Sequence, residues 1–340
     1  MYKEKEKIRI LTRALFTALV VTVAGLATAA GAYACDLCSV YTTVAMEQAR
    51  PGPRVGLATQ FSSFKSLQEA GEEVDNDAGE MLRSSVTQLL IGYNFNSSWG
   101  VQASVPWIER RFRQADEPSA TTGHEGGLGD VALTARWLAL DRIGENETVL
   151  RASLRGGIKL PTGNSDFLAE EHDDLEIGDE ERSVSREGDH EGGLHGHDLS
   201  LGTGSTDYLF GADLFASRGR AFASLAVDYS LRTEGDHDYQ YADDLTIAGG
   251  PGVFFTHGPT EHRVAMQLMA TMQSKGQDTQ AGEKVSGSAL TALYLGPRIL
   301  YSWQTSLVGH LALDLPTVLN NSGLSLVPDY RLRAGLTWLL

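Results

Sequence analysis

The sequence predicts an all-β protein, a transmembrane antiparallel up-and-down β-barrel of about 12 strands, on three observations. Twelve segments alternate apolar and polar residues with a period of two, which sends one set to each face of a strand. Each segment is close to the 9–11 residues that cross a bilayer as a tilted strand. The connections alternate short and long, as periplasmic turns and outer loops do in outer-membrane barrels.

Taken in order, the first strand sets Val55, Leu57, Thr59 and Phe61 against Ala58, Gln60 and Ser62. The second sets Leu89, Ile91, Tyr93 and Phe95 against Gln88, Gly92 and Asn94. The third has Val101, Ala103, Val105 and Trp107 facing away from Gln102 and Ser104. The fourth has Val131, Leu133, Ala135 and Trp137 opposite Asp130, Thr134 and Arg136. In the fifth, Leu150, Ala152, Leu154, Ile158 and Leu160 oppose Arg151, Ser153, Arg155 and Lys159. Six further segments follow near residues 205–216, 221–232, 244–255, 262–273, 288–301 and 306–315. The last, 328–340, turns Tyr330, Leu332, Ala334, Leu336, Trp338 and Leu340 outward and Asp329, Arg331, Arg333 and Thr337 inward. A helix would space residues of one kind three and four apart, and these segments do not.

Residues 96–99, 141–147, 217–220, 256–261 and 303–305 make brief connections. Residues 65–83, 109–127, 161–204, 233–243, 273–287 and 316–327 make long ones. An even strand number with both ends on the short-turn side follows, and closure leaves no edge unpaired in lipid. A soluble β-sandwich also alternates. The apolar face that persists through every strand, with Trp and Tyr at strand ends, favours the barrel.

The formal net charge of −16 argues against nucleic acid as a partner, since phosphates need Lys and Arg patches. Residues 1–34 read as an export signal. Lys3, Lys5, Lys7, Arg9 and Arg13 form a basic stretch, an apolar run extends from Ala14 to Gly25, and Ala32 and Ala34 suit signal peptidase. Residues 35–53 then form a periplasmic segment, and 54–340 the barrel, with 161–204 as a long acidic outer loop. The expected location is the bacterial outer membrane, in contact with its lipid.

Three stretches carry a resemblance: residues 127–137 (GLGDVALTARW), 156–163 (GGIKLPTG) and 199–211 (LSLGTGSTDYLFG). Together they resemble the outer-membrane family named after the MetA pathway of phenol degradation, whose members are described as transporters. The resemblance covers strands four to six and implies a small barrel that passes hydrophobic or aromatic compounds. Two features depart from it. The chain ends Trp338, Leu339, Leu340 rather than in an aromatic residue, and the loop between the second and third stretches is unusually long and charged. Read physically, Gly126, Gly127 and Gly129 allow a tight start to strand four. Pro161 to Gly163 ends strand five, because proline cannot donate to a ladder, and Gly202 and Gly204 mark the return into strand six.

Inward parity assigns Arg136, Arg151, Arg155, Lys159, Asp213, Asp228, Arg298, Arg331 and Arg333 to the lumen. Such charges either bridge one another and fill the barrel or form a lining that selects solutes. The 161–204 loop carries 13 acids against Arg182 and Arg186, with His172, His190, His195 and His197. Its stretch from His190 to Asp198 could gather imidazoles around Zn²⁺, Ni²⁺ or Cu²⁺ through His190, His195 and His197. Carboxylates of this loop inserted against Arg151 and Arg155 would form a gate. Cys35 and Cys38 make a CxxC whose extracytoplasmic roles are a disulfide, a redox pair or half a metal site. No enzyme is expected, since His310 has no serine marked as its partner. The expected function is a channel or transporter for a small solute. The alternatives are a surface metal-binding or interaction protein anchored by its barrel, and a barrel partner of periplasmic redox proteins acting through Cys35 and Cys38.

Overall fold

The computed structural model describes residues 51–114, 121–144, 148–169, 193–256, 261–285, 287–304 and 306–340. The predicted signal, Cys35, Cys38, His172 and His190 lie outside the described residues.

Twelve strands form the barrel. They are β1 (Gly52–Glu69), β2 (Met81–Asn94), β3 (Trp99–Gln114), β4 (Val131–Ile143), β5 (Val149–Leu160) and β6 (Asp207–Arg218), followed by β7 (Ala221–Leu231), β8 (Asp244–Phe254), β9 (His262–Lys275), β10 (Leu290–Trp303), β11 (Leu307–Asn321) and β12 (Ser325–Leu339). Each pairs antiparallel with its neighbour in sequence, and β12 pairs with β1 from Arg54↔Leu339 to Gln68↔Ser325. The sheet is therefore closed. No strand edge is left to lose hydrogen bonds in hydrocarbon, where each unsatisfied group costs several kcal/mol.

All twelve predicted strands are present, but several run further than their membrane-crossing part. β1 continues to Glu69 and pairs with Glu72–Val74, and β3 continues to Gln114 and pairs with Thr121–Leu128. Residues 65–69, 109–114 and 121–127, expected as loop, are thus parts of outer hairpins. Ladder pairing persists beyond the lipid because it needs no apolar face, and a turn with Ala70 and Gly71 at positive φ closes the first hairpin.

Side-chain direction follows the alternation. Leu57, Ile91, Leu154, Leu332 and Leu336 are 42–54% exposed on the outer wall, while Gln60, Gln88, Gln267 and Arg331 are at most 2% exposed inside. All five tryptophans lie on the outside. Trp99, Trp137, Trp303 and Trp338 gather at the short-turn end, with Trp99 stacked on Trp137 at 5.8 Å. Trp107, Tyr208 and Tyr229 mark the other end. Such girdles bracket an apolar band about 25 Å tall in outer-membrane barrels. The closed barrel, its apolar band and its two aromatic belts place the protein in the bacterial outer membrane.

Replacing the lipid-facing Leu332 by Arg, six residues inward from the Trp338 belt, is expected to lower the unfolding free energy by about 2–4 kcal/mol. Urea titration in lipid vesicles, followed by tryptophan fluorescence, measures the loss.

Candidate functional site

The three stretches singled out in the sequence meet at one place, at the outer end of β4, β5 and β6. Asp130 sits where its carboxylate can collect donors from two chain segments. Its Oδ1 accepts the backbone N–H groups of Thr162 (3.1 Å) and Gly163 (2.9 Å). Its Oδ2 accepts Lys159 Nζ (2.5 Å), Thr203 N (3.0 Å) and Thr203 Oγ1 (2.9 Å). Lys159 also bridges to Asp207 (3.0 Å) and donates to Thr203 Oγ1 and the Ser205 carbonyl. Asp207 accepts Ser205 Oγ (2.8 Å) and Arg232 (2.7 Å), and Arg232 forks onto Asp244 through Nε (2.9 Å) and Nη2 (2.7 Å). Three carboxylates thus share two cations, all buried. This network ties both ends of the 161–204 loop to the wall.

The glycines make that tie possible. A Cβ on Gly163 would lie 2.7 Å from the Leu201 carbonyl and 2.8 Å from Gly202 Cα, and one on Gly202 would lie 2.5 Å from Gly163 C. Here backbone packs on backbone, which only residues without side chains permit. The sequence reading of these glycines as strand-end punctuation is therefore incomplete.

From this anchor the described parts of the loop fold inward over the outer mouth. Leu201 packs among Ala58, Val86 and Ile108 on the inner faces of β1, β2 and β3. Leu194 and Leu199 join Phe64, Leu67, Leu82 and Leu326 of β1, β2 and β12. Leu168 packs with Tyr239, Tyr241 and Val285. Backbone bonds hold the far side: Gly193 N donates to Glu80 Oε2 (2.7 Å), and Leu326 N donates to the Gly193 carbonyl (2.8 Å). Because β6 and β12 are six strands apart in a ring of twelve, the loop spans the mouth from one wall to the opposite one. It is a lid. Each buried leucine contributes about 1.5–3 kcal/mol relative to an exposed one. Among the described residues, the loop side chains reaching these inner clusters are leucines and Phe167 rather than the carboxylates expected of a gate.

Below the lid, the predicted lumen residues separate into groups. Arg155 bridges Asp213 (3.0 Å) and Asp228 (2.8 Å), and Ser153 donates to Asp213 (3.1 Å). Across the barrel, Arg333 bridges Asp314 (2.6 Å), and Arg331 bonds Gln273 and lies 4.2 Å over the Tyr294 ring. Arg298 shares this wall, its Nε buried without a hydrogen-bond partner, and no carboxylate of the described residues lies within ion-pair reach. Arg136 faces inward, half-buried, beside Arg155 in register. Arg151 pairs with the partly exposed Asp141 (3.0 Å) towards the short-turn end. Lys159 belongs to the loop anchor rather than to this middle zone. Near the short-turn end an inward cluster forms from Phe215, Phe222, Phe254, Val149, Ala265 and Leu300, with ring centroids 4.7 Å apart for Phe222 and Phe254. Strand parity alone predicted the cations. Parity also places Arg232 inside, but it did not single out Asp244, Thr203 or Glu80, although Thr203 stood inside a quoted motif.

Of the predicted metal ligands, His195 and His197 come together, and Asp198 joins them. Burial would raise the Asp198 carboxyl, yet the His197 and His195 imidazoles hold it below its ordinary value.

No family model matches the chain, and no curated protein matches it. Among solved structures, the outer membrane channel of Pseudomonas putida F1 is similar over 88% of this chain and 100% of that one, at 16% identity and a TM-score of 0.57. The β-domain of the Bordetella autotransporter BrkA matches 86% of this chain and 100% of that one, at 10% identity and a TM-score of 0.43. The chain has the fold of an outer-membrane channel. The particular family suggested by the sequence motifs receives no separate match.

Breaking the anchor tests its role. Asp130→Ala leaves a buried lysine short of a partner and is expected to cost about 3–5 kcal/mol. Limited trypsin digestion, cutting at Arg182 and Arg186, should become at least several-fold faster while the barrel core survives.

Proposed function

We propose that the protein is an outer-membrane channel that passes a small solute by diffusion, under the control of the lid formed by the described loop residues 161–169 and 193–204. One observation carries the reading: a closed barrel with a charged interior is capped by a loop that the sequence anchors at both walls. A barrel serving only as an anchor has no need of an ordered cap over polar side chains.

The solute class follows from the lining. The Phe215, Phe222 and Phe254 cluster and the Ala58, Val86 and Ile108 wall favour an apolar body, in line with the family resemblance. Arg298, with Arg333 on the same wall, favours a negative group on that body. A small aromatic or aliphatic carboxylate satisfies both.

Planar-bilayer recording of the refolded protein is the test. Removing residues 166–198 keeps both halves of the anchor and is expected to increase single-channel conductance several-fold. Silence from both proteins, each folded by its heat-shifted gel mobility, would overturn the channel reading. In the lid-deleted background, Arg298→Glu is expected to move the reversal potential under a salt gradient towards cation preference, since it exchanges a buried lumen positive charge for a negative one.

A further inference from the structure

We propose that His195, His197 and Asp198 form a binding site for a transition-metal ion, Zn²⁺ or the related Ni²⁺ and Cu²⁺, built into the lid. The three residues sit on one short turn, Gly196–Leu199 and its preceding residue. One ligand atom from each lies within 4.8 Å of the others. Donors around a tetrahedral zinc ion, bound at about 2.0–2.2 Å, are roughly 3.4 Å apart, so small side-chain rotations complete the triangle.

The Asp198 carboxylate does not reach either imidazole ring as a hydrogen-bond acceptor. Asp198 Oδ2 is 3.8 Å from His195 Nδ1, and Asp198 Oδ1 is 3.8 Å from His197 Nε2. Both separations exceed hydrogen-bond distance. His195 Nδ1 is buried and has no hydrogen-bond partner, a costly state for an imidazole nitrogen unless something else occupies its lone pair. A metal ion set between the carboxylate and the two rings does so.

The surroundings already hold the ligands in place. The rings of His195 and His197 stack at 5.2 Å and 11°. His197 is 8% exposed and packs near Tyr239, while the Tyr241 hydroxyl donates to the His197 carbonyl at 3.1 Å. The Asp198 carboxylate also accepts the His195 backbone N–H at 3.2 Å. Two imidazoles and one carboxylate suit zinc, nickel or copper, whereas calcium and magnesium take oxygen ligands. His195 and Asp198 remain partly open, at 22% and 34% side-chain exposure, which leaves a path for the ion and a position for a fourth ligand. Since Leu194 and Leu199 flank the site and touch the far wall, a bound ion would hold the lid down.

The test is calorimetric titration of Zn²⁺ into the refolded full chain in detergent, with Co²⁺ absorption as a second readout. The wild type should bind an ion that His195→Ala/His197→Ala does not, so the stoichiometry falls by one. Asp198→Asn should weaken binding by more than about tenfold, since loss of even an outer-shell partner costs about 10–100-fold. Equal stoichiometry in wild type and double variant, or no heat and no cobalt spectrum in the wild type, overturns the proposal. If the double variant lacks the heat-shifted mobility of the folded barrel, His195→Gln, at the more exposed position, must show the same loss. The titration needs no channel activity, so zinc binding by a protein that never conducts would keep this site and remove only the channel reading.

Discussion

Everything else in this protein depends on the pairing of its first strand with its last. In hydrocarbon the backbone has no water to satisfy it, so the sheet must close. The seam between β1 and β12 pairs over most of both strands. Its ladder is interrupted near Ser63, Phe64 and Ser66, where the register shifts. Asp329 repairs the gap by accepting Ser66 N (3.3 Å), Ser66 Oγ (2.9 Å) and Ser63 Oγ (3.3 Å). A bulge therefore sits at the outer part of the seam, with a carboxylate replacing the missing partners.

Closure also decides what the interior can hold. Twelve inward-facing rows meet around a narrow axis, and their long polar side chains are pressed together away from lipid. The charges are not spread evenly. Arg155, with Arg136 beside it in register, faces two aspartates on β6 and β7. Arg298, Arg331 and Arg333 line the opposite wall on β10 and β12, where Arg333 bridges Asp314 of β11.

The period-two alternation made the barrel legible. Every strand was visible because the lipid selects one face and the interior the other, and the five tryptophans marked the belts. Strand length was less visible, since the outer extensions of β1 and β3 are held by ladder bonds that carry no apolar signature. Lumen residues such as Arg155 and Arg333 could be placed by parity. Their partners could not, because an inward carboxylate reads the same whether it meets Arg155 or solvent. The loop was the hardest part. Its acids dominate the composition, but Leu168, Leu194, Leu199 and Leu201 fold its described parts, and four scattered leucines have no period. Asp130, Lys159, Thr203 and Asp207 come from segments up to 77 positions apart, and only the fold brings them together.

The far anchorage of the lid has a mechanical consequence. Gly193 and Leu194 dock on β1, β2 and β12, so one loop from the middle of the chain bridges the strands where its two ends meet. That docking surface does not exist until the first and last strands have found each other. The lid can therefore seat only on a completed barrel, and once seated it braces the joint against opening sideways into the bilayer.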